Sequence, residues 1–292
     1  MKLCLSCRHQ YETLSWQCPA CSWEPENIDG RPAFSPDLAA ANEGFAPHYF
    51  TDLAQSEQGN FWFESRNRLL IWAIRKYFPS AQSMLEIGCG TGFVLSELQR
   101  TFPEIRFAGS EIYPEGLRFA GNRAVGADLF QMDARRIPFD REFDVIGAFD
   151  ILEHVEEDEE VLGQMYRAVR PGGGIVVTVP QHPSLWSTVD DYSFHKRRYV
   201  RQELKRKAEQ AGFRPAILTS FISILLPVLF LSRLRNKSYT DSFDPLAELR
   251  IHPAINRAFM GLLSVERRCI QAGMSLPWGG SLLLVAYRER ES

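Results

Sequence analysis

Glu86-Ile87-Gly88-Cys89-Gly90-Thr91-Gly92 decides the fold of this chain. The apolar run Ser83–Leu85 leads into it and Phe93-Val94-Leu95-Ser96-Glu97-Leu98 leads out, so the stretch reads as strand, glycine-rich turn and helix. Glycine takes positive φ without strain and lets a ligand approach the backbone closely. The helix start behind it offers N–H groups that have no intrahelical partner. Three glycines alternate as G-x-G-x-G, with an acidic residue two positions before the first. A dinucleotide fingerprint, G-x-G-x-x-G, would need its third glycine where Phe93 stands. A bare glycine turn also serves close strand–helix packing, so the residues downstream must choose between ligand and packing.

Arg106–Ile112 reads as a strand ending in Glu111. A carboxylate about 20 residues beyond such a loop can accept both ribose hydroxyls of a nucleoside. Then come Leu129-Phe130-Gln131-Met132-Asp133-Ala134, the strand Phe143–Phe149 running through Asp150 into Ile151-Leu152-Glu153-His154-Val155, and Val169-Arg170-Pro171-Gly172-Gly173-Gly174 before the strand Ile175–Val179. In this order and at ordinary loop spacings, the set resembles the class I S-adenosylmethionine (SAM)-dependent methyltransferases of the type 11/12 and quinone O-methyltransferase groups, over roughly residues 61–221 and the last strand. The resemblance implies a doubly wound, seven-stranded, mostly parallel Rossmann-like sheet. It implies SAM held at its methionine end by Glu86, Gly88, Cys89, Gly90 and Gly92, and at its ribose by Glu111 and Ile112. Met132, Asp133 and Ala134 would hold the adenine, with Phe149 at the end of the fourth strand beside the cofactor. It also implies methyl transfer to a nucleophilic O, N or C of a small or lipid-linked acceptor. A Rossmann-like domain without its ligand, or a non-catalytic SAM-binding module, stays open.

Cys4-x-x-Cys7 and Cys18-x-x-Cys21 are separated by ten residues. Each knuckle points two thiolates at one centre, the pattern of a tetrahedral structural zinc held by Cys4, Cys7, Cys18 and Cys21. No charged–apolar–small leader precedes Cys4, so a pair of disulfides in an oxidising compartment is not expected and a cytoplasmic protein is. A unit this short buries too little core to fold without the metal.

At 292 residues with 45% hydrophobic content, one large α/β domain with an appendage is expected, and a formal net charge of −3 argues against an obligate nucleic-acid coat. The punctuation divides the chain into a zinc ribbon (1–30), a linker (31–59) and the main domain (60–292). A helix over Asn60–Phe78 places Trp62, Phe63 and Arg66 as lid residues or as core. Between the last two strands, Ala216–Phe221 and Ser281–Tyr287, lies a helical insertion of about 222–278 in place of a hairpin. It opens with the apolar run Ile222–Leu231 and continues through Arg233, Arg235 and Lys237, with further helices predicted over Asp241–Leu249 and His252–Met274. The apolar run is too short to span a bilayer. It reads as a cap over the acceptor, as a peripheral membrane contact through 222–237, or as a core or dimer helix. The oligomeric state is not legible.

His154 and His195 are the candidate general bases, since a histidine titrates near working pH. The Asp150, Glu153 and His154 segment is similar to a Glu-x-x-Glu-His element that is associated with a divalent metal in quinone O-methyltransferases, with Asp150 in place of the first Glu; a plain cleft segment is the other reading. Arg197 and Arg198 could hold a phosphate or carboxylate. Lys196–Lys207, with the ribbon, could instead grip RNA, making an RNA methyltransferase the alternative function.

Overall fold

The computed structural model describes residues 1–40, 49–235 and 250–290. The N-terminal unit is two short strands, β1 (Lys2–Leu3) and β2 (Gln10–Tyr11), with the cysteine knuckles beside them. A hairpin of β3 (Glu26–Ile28) and β4 (Arg31–Ala33) follows, then the helices α1 (Pro36–Ala40), α2 (Tyr49–Glu57) and α3 (Phe61–Tyr77). From there strands and helices alternate: β5 (Ser83–Ile87), α4 (Phe93–Thr101), β6 (Arg106–Glu111), α5 (Pro114–Arg123), β7 (Asp128–Gln131), β8 (Phe143–Phe149), α6 (Asp158–Ala168) and β9 (Val169–Pro180). The chain closes with α7 (Thr188–Tyr192), α8 (Arg201–Gln210), β10 (Arg214–Phe221), α9 (Leu226–Arg235), α10 (Pro253–Gln271) and β11 (Ser281–Tyr287).

The main sheet has the order β10-β11-β9-β8-β5-β6-β7-β4-β3. Strands β5 to β9 run parallel, and β11 inserts antiparallel between β9 and β10. The central strands carry near-continuous apolar runs because helices cover both faces; every residue of β5 is buried. The seven expected strands are therefore present, with two more at the far edge. Ala33 of β4 pairs parallel with Gln131 of β7, and the Phe34 N–H donates to the Gln131 carbonyl at 2.8 Å. The Gln131 side chain clamps the junction, donating to the Ser35 and Ile112 carbonyls and accepting from the Ser35 N–H.

Residues 31–59 are thus not a bare connector: they supply β4, α1 and α2. Nor does the ribbon hang free. The Leu3 N–H donates to the Pro138 carbonyl, Lys2 bridges to Phe139, and the Trp16 ring packs edge-on against Phe34, Phe130 and Phe139 at 4.8, 5.5 and 5.6 Å. Aromatic edge contacts of this kind add to area burial. A composition-based linker reading missed this because β4 needs only one ladder pair and is masked by Pro32.

In the insertion, the run Ile222–Leu225 is a turn with Ile222 at φ +58°, and the helix begins at Leu226. Both Glu266 oxygens accept backbone N–H groups of that turn, from Ile222 (2.6 Å), Ser223 (2.6 Å) and Ile224 (2.8 Å). One carboxylate of α10 thereby satisfies the amides ahead of α9. The helix predicted over Asp241–Leu249, and Lys237, lie outside the described residues. No described helix is long and apolar enough to cross a membrane.

Candidate functional site

The carboxyl ends of β5, β6, β7 and β8 open into one cleft of about 1240 Å³, where ligands bind in open α/β sheets. Its floor is the glycine loop. Gly88, Gly90 and Gly92 have φ of +65°, +51° and +75°, but they do different work. A Cβ on Gly88 would come within 2.1 Å of the Ile151 side chain, and one on Gly90 would meet nothing within 4 Å. Gly90 is bare toward the cleft. Gly92 lets α4 lie against α5, since its Cβ would fall 2.7 Å from Ala120 Cα, and it does not line the cleft. The Cys89 side chain likewise belongs to the core beside Leu95, while its N–H donates to the Ser110 carbonyl.

Glu111 ends β6 with its carboxylate fixed by three backbone donors: Gly90 N–H to Oε2 at 3.0 Å, and Ile112 and Tyr113 N–H to Oε1 at 2.8 and 3.2 Å. Burial still raises its pKa against those bonds. Glu86 is 2% exposed, and its Oε2 has no partner among the described residues. Burial, with Glu111 and Glu57 nearby, pushes its pKa well above the usual carboxylate range, although Arg66 opposes this. An orphaned buried acceptor lining the cleft suits a cationic ligand group. Asp133 sits at the opposite wall, accepting from the Arg135 backbone N–H at 2.9 Å and from its guanidinium. Ile112, Met132, Ala134 and Phe149 also line the cleft.

Helices α2 and α3 roof the loop. Thr91 Oγ1 donates to Glu57 Oε1 at 2.5 Å, and Arg123 bonds Glu57, Thr91 (2.8 Å) and the Ala54 carbonyl (2.9 Å). Arg66 stacks on Trp62 at 4.5 Å and pairs with Asp150 at 2.5 Å. Trp62, Phe63 and Arg66 all line the cleft, and Phe63 is also buried. Sequence reading missed Glu57 and Thr91, whose only signal is polarity inside an otherwise apolar setting.

Another side of the cleft is built by the loop after β9. Asp190 is fully buried and accepts from Ser187 (N–H and Oγ), from Arg198 at 2.7 and 3.0 Å, and from the His195 ring. Those bonds overcome its burial and hold its pKa at about 2. An ionised carboxylate only accepts, so the 2.9 Å contact with His195 Nδ1 makes that nitrogen the protonated one and leaves Nε2 as the acceptor. The His154 ring stands edge-on to His195 at 4.7 Å, and burial, with His195 beside it, pushes its pKa down to about 3. Both histidines line the cleft, as does Glu153, whose pKa burial and Asp150 push well above the usual range. Glu153, His154 and His195 each bring one ligand-type atom within 4.8 Å of the others. Asp150 does not join them, because Arg66 takes its carboxylate.

The basic run beyond His195 is internally paired: Arg197 with Asp158, Arg198 with Asp190, Lys207 with Asp158 and Glu203, and Arg206 with Glu159. Arg197 and Arg198 thus each have a carboxylate partner already, and Arg198 lines the cleft. Trp186 does not line the cleft and donates its ring N–H to Asp191. The remaining wall is apolar and comes from the insertion: Ile222, Leu225, Val228, Leu229, Ile251, Ile255 and Phe259.

In the ribbon, Cys4 Sγ and Cys21 Sγ are 3.6 Å apart, and Cys7 Sγ and Cys18 Sγ 3.7 Å. A disulfide requires about 2.0 Å. Tetrahedral Zn–S bonds of about 2.3 Å separate sulfurs by about 3.8 Å, so the four sulfurs are already spaced for one ion.

A family described as "Methyltransferase domain" matches residues 54–216. Among curated relatives, the chain is 28% identical over 168 residues to the biotin biosynthesis bifunctional protein BioHC of Teredinibacter turnerae, spanning 49% of this chain and 28% of that one. It is 31% identical over 104 residues to the ubiquinone/menaquinone biosynthesis C-methyltransferase UbiE of Desulfotalea psychrophila (34% and 41%). It is 30% identical over 150 residues to the malonyl-[acyl-carrier protein] O-methyltransferase of Methylococcus capsulatus (47% and 54%). The chain thus spans less than two thirds of each. Among solved structures, the phosphoethanolamine N-methyltransferase 2 of Haemonchus contortus in complex with SAM superposes with a TM-score of 0.57 at 16% identity, over 87% of this chain and 60% of that one. The [4+2]-cyclase SpnF superposes at 0.53 and 19% identity, over 79% and 84%. At such identities the likeness concerns the fold alone, and the cyclase has it too.

Proposed function

The chain belongs to the methyltransferase-domain family, and from that premise we propose that it transfers the methyl group of SAM to a nucleophilic O, N or C of a small, amphiphilic or lipid-linked acceptor. The observation that carries the proposal is the cleft itself. One continuous cavity joins the polar wall of Glu86, Gly90, Glu111 and Asp133 to the apolar wall of the insertion, with His195 between. The residues fit the cofactor: Glu86 has a free buried acceptor for an ammonium group, Glu111 offers fixed oxygens to ribose hydroxyls, and Gly90 is bare to the cleft. Bound there, SAM supplies an electrophilic methyl group on sulfur. His195 Nε2 takes the proton of the acceptor, and Asp190 stabilises the imidazolium that results. Alignment of donor and acceptor beneath α2 and α3 supplies much of the rate.

The acceptor class follows from the apolar wall, which suits an alkyl or prenyl portion better than a nucleobase. Relatives named as acting on quinones, acyl-carrier-bound malonyl groups and fatty acids are consistent with this. The RNA reading stays the alternative, although Arg197, Arg198 and Lys207 of its basic run already have carboxylate partners. In the ribbon, Cys4, Cys7, Cys18 and Cys21 would hold a structural zinc and perform no chemistry. The deciding experiment is a labelled-SAM assay against fractionated lipid and RNA extracts. Label is expected in a lipid fraction and is expected to depend on His195; label confined to RNA would overturn the acceptor class, and no turnover with intact SAM binding would make the chain a sensor.

A further inference from the structure

Helix α10 is amphipathic with its second apolar face turned outward. Leu263, Glu266 and Ile270 are buried, yet the solvent side beside them carries Ile255, Leu262 and Val265, exposed at 46%, 43% and 52%. A surface helix normally presents polar residues there. The only acid in α10 is Glu266, and it is buried under the turn ahead of α9. The remaining charges of the helix are Arg257, Arg267 and Arg268. Arg267 opens onto a groove between α10 and α3 of about 360 Å³, shared with Arg68, Arg75, Lys76 and the Trp72 ring. Only Arg68 has an acidic partner among the described residues, Glu64 at 3.5 Å. On a chain of net charge −3 this is a segregated patch of cations.

The apolar face is continuous with the mouth of the cleft. Val228 of α9 and Ile255 of α10 both line the cavity and are about half exposed, and Phe230 and Leu231 at the outer side of α9 are exposed at 51% and 61%. Isolated exposed apolar residues need no explanation, but a strip across two helices does. Its flank decides the occupant. An apolar strip bordered on its own helix by the exposed Arg257 and Arg268, with no exposed acid on that helix, complements acyl chains beneath a layer of phosphates.

We propose that the outward face of α10, with the tip of α9, seats this protein on an anionic bilayer surface with the mouth of the cleft toward the lipid. An amphiphilic acceptor then enters along Val228 and Ile255 without crossing water. The inference extends the reading of the acceptor, but it stands on residues outside the cofactor wall.

The test uses the full chain with S-adenosylhomocysteine present, sedimented with phosphatidylcholine vesicles with and without phosphatidylglycerol. Binding is expected only to the anionic vesicles and should fall steeply with salt. Leu262→Ser with Val265→Ser, and separately Arg267→Gln with Arg268→Gln, should each reduce the bound fraction several-fold while calorimetric affinity for S-adenosylhomocysteine stays unchanged. No sedimentation with anionic vesicles at low salt, or wild-type binding by both double variants, overturns the proposal. So does sedimentation velocity showing a dimer that Leu262→Ser with Val265→Ser splits, since the face would then be a subunit interface. Failure of the wild-type chain to bind S-adenosylhomocysteine would instead sink the methyltransferase reading and leave the vesicle result standing.

Discussion

Glu111 does two jobs at once. Its oxygens hold the Gly90, Ile112 and Tyr113 amides, and the same carboxylate faces the cleft. Glu111→Ala is therefore expected to weaken S-adenosylhomocysteine binding by about 1.5–3 kcal/mol for a lost charge-assisted bond, and to lower Tm as the loop amides lose their acceptor. Calorimetry together with thermal melts reads both, and NAD should not bind to either protein. Asp190 is the second residue with a defined test. Its hydrogen bonds and the Arg198 charge hold its folded pKa at about 2, below the usual aspartate value. A depressed carboxylate pKa adds stability above the unfolded value, and that stability is lost as pH falls through the folded one. Asp190→Asn should thus cost on the order of 2 kcal/mol near neutrality, with the gap to wild type closing between about pH 4 and pH 2. Urea titrations at several pH values would show it. If Asp190 also orients His195, the variant should lose turnover while affinity for S-adenosylhomocysteine changes little. A fall in binding that matches the fall in turnover would mark the role as structural only. Sequence reading found His195 but not Asp190, because a buried aspartate five residues away carries no local signature.

At the scale of elements, the insertion is the most exposed part of the argument. Leu225 is 3% exposed and Leu229 packs against the same cluster, yet both line the cleft beside the turn that Glu266 holds. Leu225→Ser with Leu229→Ser should cut methyl transfer sharply while binding of S-adenosylhomocysteine stays near normal. A parallel loss of stability of several kcal/mol and of every activity, as buried leucine truncations give, would mark the segment as core and not as acceptor wall. The helix predicted over His252–Met274 is α10, Pro253–Gln271, and the strand Ala216–Phe221 is β10, Arg214–Phe221. The apolar run Ile222–Leu231 was read as one helical stretch because periodicity cannot see the turn at Ile222, which a distant carboxylate stabilises.

At the scale of the whole molecule, the ribbon and the methyltransferase domain share a seam. Trp16 sits on Phe34, Phe130 and Phe139, and β7, which carries Phe130, runs directly into Met132 and Asp133 at the wall of the cleft. Cys18→Ser, or chelation of the proposed zinc, is expected to lower Tm of the entire chain and to weaken cofactor binding as well. A linker joining independent units would leave that binding intact. Metal analysis should give one zinc per chain, and a calorimetric scan should show one transition. Two separate transitions, with unaltered S-adenosylhomocysteine affinity after zinc loss, would restore the independent-linker picture.

The sequence alone determined the order of the seven core strands, the glycine loop, the acidic residue closing β6 and the paired cysteine knuckles. Each of these is local: a few adjacent residues impose a backbone conformation, a buried period or a ligand spacing. What only the tertiary structure decided involves partners far apart in the chain. Arg66 takes Asp150 from across the cleft, Asp190 orients His195 while Arg198 neutralises it, and Glu266 organises a turn 42 to 44 residues away. The same holds for β4, which joins the sheet through a single pair with Gln131. Such contacts depend on which charges and amides the packed core brings within about 3 Å of one another, and no periodicity or motif along the chain encodes that distance.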